Sequence, residues 1–409
     1  MDSILDTYFR DVDKTIVRMK NYPSKELVLL HHNDTDGLTS GAVLYKAFCD
    51  EGYKVQRFSL EKPYPKVLEK LFAENSGKII VFADFAGKIA PFVCKLNADK
   101  NLVILLDHHK AEKSTSDSVI NLDPDLYGLK GDRDISASVT CWYFACRLNP
   151  ANKKLAHIAA LGGIADFFYI DWQVHGENWK CVEEALKQGT MRMEKKDGKD
   201  VFYITLPDRE FEIIELYSML DIIGGVGFYG GGPELGIKML LHGTDDADQK
   251  TIEKFRSMKK EKFDKEFERI RKGEFNQTEH IVWCDVKDRF MPMGVKMIGI
   301  FCEEVADSGL VPKDKYMAGY QQIPDEVPGF GHVDMGETKV SMRTSLPLTD
   351  RVMHDEIPGL NAFLPEATLN LGGFADACHR VSAATTIKIG KEALLMDECE
   401  NVLKKLMNK

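Results

Sequence analysis

At 409 residues the chain exceeds what one hydrophobic core usually serves, so two domains are the starting expectation. Its apolar fraction of 44% and charged fraction of 29% are those of an ordinary globular protein, and no apolar run reaches membrane-span length, so no membrane partner is expected. The net charge of −10 argues against a broadly basic nucleic-acid surface and leans towards short or small phosphorylated substrates, any basic face being local.

The opening MDSILDTYFRDVDK is acidic and lacks the basic-then-apolar layout of a leader. The nine cysteines are scattered, with no Cys-x-x-Cys, and read as free thiols of a reducing compartment; a cytoplasmic location is the expectation. ELVLLHH (26–32) is a short apolar run ending in polar residues, and 38–52 has helical spacing with a Gly stop. YKVQRFSL (53–60) alternates like a strand, and 64–77 reads as a helix closed by Gly77. KIIVFA (78–83) and NLVILL (101–106) are continuous apolar runs, as strands covered on both faces require. Helical patterns follow at 135–148 and 153–167. This alternation predicts an α/β fold with a doubly wound, mostly parallel sheet over residues 1–170. Residues 171–275 read as a helical connecting segment: short helical pieces, a Gly-rich loop (224–236) and a long charged helix (251–273). Strand-like runs return in 276–409, predicting a second, smaller α/β domain.

The acidic residues fall in a pattern. His32-Asn33-Asp34-Thr35-Asp36-Gly37 follows the first predicted strand, Asp84 follows 78–83, and Asp107-His108-His109 follows 101–106. In a parallel sheet all these are carboxyl ends of strands, the edge where open α/β folds place their sites. Asp166 closes a helical run that can return to the same edge. Five carboxylates and up to three imidazoles in one volume need divalent cations to compensate them, and this donor mixture suits Mn²⁺, with Mg²⁺ or Co²⁺ as substitutes. Taken singly, each element has a plain explanation: a turn for Asp-x-Asp-Gly, a helix cap for Asp84, a solvated turn for Asp-His-His. A calcium loop from His32 fails because Val43 stands where its glutamate is needed.

With those motifs in order, residues 25–170 resemble the DHH phosphoesterases, which include RecJ-type exonucleases, nanoRNases, cyclic-dinucleotide phosphodiesterases and family II pyrophosphatases. The matching residues are Asp34-Thr35-Asp36, Asp84, Asp107-His108-His109 and Asp166 in GGIADF. NLDPDLYGLKGDRDISASV (121–139) is similar to the stretch that follows Asp-His-His in archaeal RecJ-like members. Residues 276–409 resemble the DHH-associated substrate-binding domain. There VSMRTS (340–345) places Arg343 as a phosphate contact, and LGGFADACHRVSAATT (371–386) is an altered Gly-Gly-His loop with Gly372, Gly373 and His379.

The resemblance implies two metals. His32, Asp34 and Asp84 would hold one, and Asp36, Asp84, His108 and Asp166 the other, with Asp84 bridging. It makes Asp107 a support for the histidine pair, and His109 a residue facing the phosphate; Asp84, Asp107, His108 and His109 form the catalytic set. The expected function is a RecJ-like single-strand exonuclease or oligonucleotide phosphodiesterase releasing mononucleotides. The alternatives are a phosphohydrolase of cyclic dinucleotides, pyrophosphate or polyphosphate, and an inactive replication scaffold. The expected partners are short or single-stranded nucleic acid or a nucleotide-like small molecule; protein partners, a homodimer included, leave no mark in the sequence. Two further features stay open between alternatives. The aromatics Phe167, Phe168, Tyr169 and Trp172 serve either base stacking or packing, and the lysines and arginines of 251–273 either track a nucleic-acid backbone or form a solvated face.

Overall fold

A computed structural model describes residues 4–407, and the side chains of all of these except 167–171, 376 and 377. Its first compact unit comprises residues up to Glu253 together with Pro328–Phe330. Helix α1 (Ile4–Lys20) precedes five strands: β1 (Glu26–His32), β2 (Lys54–Leu60), β3 (Ile79–Ala83), β4 (Leu102–Leu106) and β5 (Val119–Asn121). They form one sheet in the order β2-β1-β3-β4-β5, every neighbouring pair parallel. Every residue of β3 and β4 is buried, which accounts for their continuous apolar runs.

The connections are α2 (Thr35–Asp50), α3 (Pro65–Glu74) and α4 (Ala90–Asn97); α5 (Ala137–Leu148) and α6 (Ala156–Asp171) follow β5. The chain moves one way from β1 to β2 and the other way from β2 to β3. Right-handed crossovers therefore put α2 and α3 on opposite faces, with α4 on the face of α3. The packing agrees: α2, α5 and α6 contact one another, and α3 contacts α4. This is a doubly wound parallel sheet, as the sequence predicts.

Residues 171–253 hold more than short helical pieces. After α7 (Gly176–Gln188) come three antiparallel strands, β6 (Met191–Lys196), β7 (Lys199–Thr205) and β8 (Glu210–Glu212). The tip between β6 and β7 is Asp197-Gly198, both at positive φ (51° and 79°), the two-residue turn whose twist matches a hairpin. Then α8 (Ile213–Asp221) runs through one wide helical turn (Ile222–Val226) into α9 (Gly232–His242). The Gly-rich stretch, expected to be a loop, is thus helical and packs within this unit.

Helix α10 (Asp246–Arg271) contains the boundary at Glu253/Lys254 between the two units. The second unit carries β9 (Asn276–Gln277), β10 (Ile281–Asp285), α11 (Met297–Asp307), β11 (Tyr316–Gln322), β12 (Glu326–Val327), β13 (Gly331–His332) and β14 (Glu337–Arg343). After them come α12 (Leu346–Met353), α13 (Leu360–Asn370), β15 (Phe374–Cys378), β16 (Ser382–Lys388) and α14 (Glu392–Met407). Its six-stranded sheet has the order β15-β16-β14-β11-β10-β9, in which only β10 and β11 run parallel. Phe363 and Leu364 of α13 and Leu395, Cys399 and Leu403 of α14 close a core with Tyr320, Val340 and Ile387 of the strands.

Candidate metal centre

The order β2-β1-β3-β4-β5 changes direction between β1 and β3, and the crevice outside the carboxyl ends at such a switch is the natural ligand site of an open α/β sheet. The residues after β1, β3 and β4 meet there. His32 ends β1, and its Nε2 lies 3.1 Å from the carbonyl oxygen of Glu61. A carbonyl only accepts, so Nε2 carries the hydrogen, and in the neutral ring Nδ1 presents a lone pair. That Nδ1 lies 2.9 Å from Asp34 Oδ2 and 3.5 Å from Asp84 Oδ2. Asp34 also caps α2, accepting from the Gly37 N–H through Oδ1.

His108 repeats the arrangement. Its Nδ1–H donates to the Gly131 carbonyl at 2.6 Å, turning Nε2 towards Asp84 Oδ1 and Asp166 Oδ2, each at 3.5 Å, and Asp36 Oδ2 at 3.9 Å. Asp36 sits at the start of α5, accepting from the N–H groups of Ala137 (2.8 Å) and Ser138 (3.1 Å). Helix α6 brings Asp166 from its interior and continues beyond it to Asp171. Its approach requires Gly162, where a Cβ would stand 2.4 Å from Asp36 Oδ1 and 2.3 Å from Ser138 Oγ.

Asp84 is the hinge of the arrangement. Its two oxygens face different histidines, Oδ2 towards His32 and Oδ1 towards His108. Its backbone is left-handed, φ 68°, a conformation that aspartate tolerates better than most residues and that recurs where a site dictates geometry.

Asp107 lies behind the histidines. Oδ2 accepts from Gly87 N–H (2.8 Å), and Oδ1 from His108 N–H (2.8 Å) and from His109 Nδ1 (2.7 Å). Burial works to raise this carboxyl, but the His109 charge and hydrogen bond, with His108 and Gly87, hold it well below the usual carboxylate range. Burial and His108 push His109 down, yet Asp107 outweighs them and its pKa rises to about 9.

At this sheet edge three sets of donor atoms, each within 4.8 Å of one another, can therefore hold cations: His32, Asp34 and Asp84; Asp36, His108 and Asp166; and Asp84 with Asp107, His108 and His109. Electrostatics make the same demand for positive charge. Burial, then Asp84 and Asp166, push the Asp36 carboxyl up, and Asp166 rises to about 6 through burial, against His108 and with Asp84. His32 and His108 are raised although burial opposes it, because carboxylates face them. Imidazole lone pairs aimed at buried carboxylates fit divalent ions, which need no proton on either partner.

The loop carrying Asp34 and Asp36 is clamped from a distant part of the chain, which sequence reasoning missed. Asn33 Nδ2–H donates to Gly224 O (3.0 Å), while the Thr35 hydroxyl lies 3.1 Å from both Tyr217 O and Asp221 Oδ1. The only sequence signal was the glycine run itself.

In the second unit the candidate residues fall at two ends of the sheet. Arg343 ends β14 opposite Ser382 of β16, and His379 closes the β15–β16 turn by donating its N–H to Ser382 O (2.9 Å). Gly372 and Gly373 lie before β15, at the other end of that strand, where Phe374 pairs with Thr386. The stretch read as one Gly-Gly-His loop is a hairpin, and β15 separates its glycines from its histidine by roughly 15 Å. Arg343 is largely buried, which lowers its pKa, and its nearest carboxylate, Glu303, stands 3.9 Å away. Along α10, Lys259, Lys265 and Arg269 pair with glutamates and Lys262 donates to Arg289 O, so these four cations are engaged by the protein itself. The side chains of Phe167, Phe168 and Tyr169 lie outside the described residues; Trp172 is exposed.

Residues 26–163 match the family model described as "DHH family, N-terminal domain". An uncharacterized protein of Methanocaldococcus jannaschii is 30% identical over 158 residues, covering 36% of this chain and 35% of that relative, so the match spans about a third of its length. Among solved structures, RecJ in complex with Mn²⁺ from Thermus thermophilus aligns with a TM-score of 0.63 at 15% identity, over 97% of this chain and 55% of that one. The DHH domain of a member of the s1p family of ribosomal proteins aligns with a TM-score of 0.61 at 15% identity, over 100% of this chain and 92% of that one. At these identities the likeness is one of fold, and it agrees with the five-stranded parallel sheet followed by an α/β unit. Residues 26–163, whose acidic and histidine motifs gather at one sheet edge, are thus similar to the N-terminal domain of the DHH family.

Proposed function

We propose that this chain is a two-metal phosphodiester hydrolase that trims single-stranded or short nucleic acid from an end, releasing mononucleotides, as an exonuclease of the RecJ kind would. The observation that carries the proposal is the Asp84 carboxylate, whose two oxygens face two separate histidine-and-carboxylate groups. On this basis His32, Asp34 and Asp84 hold one ion, and Asp36, Asp84, His108 and Asp166 the other, with Mn²⁺ preferred over Mg²⁺ or Co²⁺. Two such ions when bound lower the pKa of a water and neutralise charge on the phosphoryl oxygens.

The protein's own groups do the positioning. Gly131 and Glu61 fix the ring orientations of His108 and His32 through their carbonyls. Asp107 holds His109 by Nδ1, so that its half-exposed ring offers Nε2–H to a phosphoryl oxygen. In the second unit, Arg343 with His379 at the same sheet end supplies a phosphate contact, since a largely buried guanidinium held to Glu303 only at 3.9 Å retains donors for an anion. The hairpin geometry removes Gly372 and Gly373 from that contact.

The test is Asp84→Asn, which keeps the left-handed backbone accessible and removes the charge. With Mn²⁺ and end-labelled single-stranded RNA and DNA, dinucleotides, cyclic dinucleotides and pyrophosphate, hydrolysis should fall by on the order of a thousandfold. Titration calorimetry should show loss of the paired Mn²⁺ sites. Near-normal turnover by the variant would overturn the assignment, and activity confined to pyrophosphate or cyclic dinucleotides would move the substrate class.

A further inference from the structure

We infer that the cavity between the end of α6 and the β6–β7 hairpin binds a nucleobase of a single-stranded substrate, with its lysines on the adjoining phosphate. The inference rests on the nucleic-acid reading above and locates where the strand is held next to the metal centre. The cavity measures about 460 Å³, a small-ligand size, and is lined by Trp172, Trp179 and Phe202 together with Lys195, Lys199 and Asp200. Two of the four tryptophans in the chain thus line one small open volume. Phe202 is buried and forms a floor, whereas Trp172 stays 42% exposed. An exposed indole beside Lys195 and Lys199 is the composition of a stacking platform, because every base offers a π-face and every linkage a negative charge.

The placement of Trp172 is itself costly. It caps α6 in the left-handed conformation, φ 59°, a position where glycine or asparagine is usual. A bulky side chain held there signals a local demand that outweighs backbone strain, as at ligand clamps. The Lys199 ammonium lies 4.1 Å from the centroid of the Trp172 ring and covers one face of the indole, so a base that stacks there displaces it towards the adjoining phosphate. Lys195 is 3.2 Å from Asp200, which leaves two lysines against one aspartate around the cavity.

The distance to the chemistry suits a strand. Asp166 lies in α6 and Trp172 caps that helix six residues later, about 9 Å along its axis. Stacked nucleotides advance by about 3.4 Å, so a base on Trp172 lies at least two to three nucleotides from the phosphate at the metal centre. Substrates shorter than that cannot reach it. The cavity therefore confers a preference for strands over dinucleotides without touching the reacting group.

The experiment compares wild type, Trp172→Ala, Trp172→Phe and Lys199→Ala. Binding of a six-nucleotide single strand is read in EDTA by fluorescence anisotropy, and turnover with Mn²⁺ is read on that strand and on bis(p-nitrophenyl) phosphate. The expected result is about tenfold weaker strand binding for Trp172→Ala, near-complete rescue by Trp172→Phe, a smaller loss for Lys199→Ala, and unchanged bis-ester turnover. Unchanged strand affinity in Trp172→Ala overturns the inference. So does parallel loss of strand binding and bis-ester turnover, which would tie Trp172 to the fold or the metal centre. If no variant hydrolyses either substrate but strand binding still depends on Trp172, the hydrolase proposal falls and the binding site stands.

Discussion

The two sheets of this protein treat neighbouring motifs in opposite ways. In the first unit all five strands run parallel, so each crossover returns the chain to the same side and every strand delivers its carboxyl end to one edge. Asp34, Asp84 and His108, far apart in the chain, meet because of that rule. In the second unit β15 and β16 form an antiparallel hairpin, and successive strand ends alternate between edges. Gly373 and His379, only six residues apart, are therefore parted, whereas Arg343 and His379 share an end. Sequence proximity and spatial proximity trade places between the two sheets.

That contrast can be broken at its strong side first. Gly162→Ala drives a methyl group against Asp36 and Ser138 in the floor of the parallel-sheet edge. It should cost on the order of 3 kcal/mol and nearly abolish turnover; a melting curve and an Mn²⁺ titration check both, and a fully active, equally stable variant would show that the floor yields. Asp107→Asn leaves the ligand set in place but weakens the hold on His109. Turnover should drop roughly 10- to 100-fold with Mn²⁺ affinity changed little, as measured by kinetics beside calorimetry.

The antiparallel side predicts smaller and more selective effects. Arg343→Ala and His379→Ala should each raise KM for a short strand, Arg343→Ala by about tenfold, with Mn²⁺ binding and stability near those of the parent. Gly372→Ala separates the two descriptions of this segment. At φ +70° with open space around it, Gly372 has only backbone strain to lose, so the change should cost about 1 kcal/mol in a denaturant titration and leave KM where it was. A KM shift equal to that of His379→Ala would restore the glycines to the phosphate contact.

Legibility followed the same division. The strands of the first unit announce themselves as uninterrupted buried runs, and the parallel rule brings the residues after them to one edge, which is where Asp34, Asp84, Asp107 and His108 lie; Asp36 and Asp166 are carried there by α2 and α6. The β6–β7 hairpin escaped because β6 buries only Met191 and exposes the rest, leaving no apolar alternation, although Asp197-Gly198 marked its turn. The orienting carbonyls of Glu61 and Gly131 are backbone atoms, and no side-chain pattern can advertise them. His379 was misplaced relative to Gly373 because a loop and a short hairpin look alike when neither strand carries a long apolar run.

The clamp on the Asp34–Asp36 loop has a consequence for what counts as one heritable module. Asn33 and Thr35 are anchored by Tyr217, Asp221 and Gly224, all beyond the 26–163 segment that marks the family. A gene fragment ending near residue 170 would carry every proposed ligand and still leave the ligand loop without its brace. Exchange between relatives should succeed when the crossover lies after α9 and fail when it lies before α8, whatever motifs the fragment preserves.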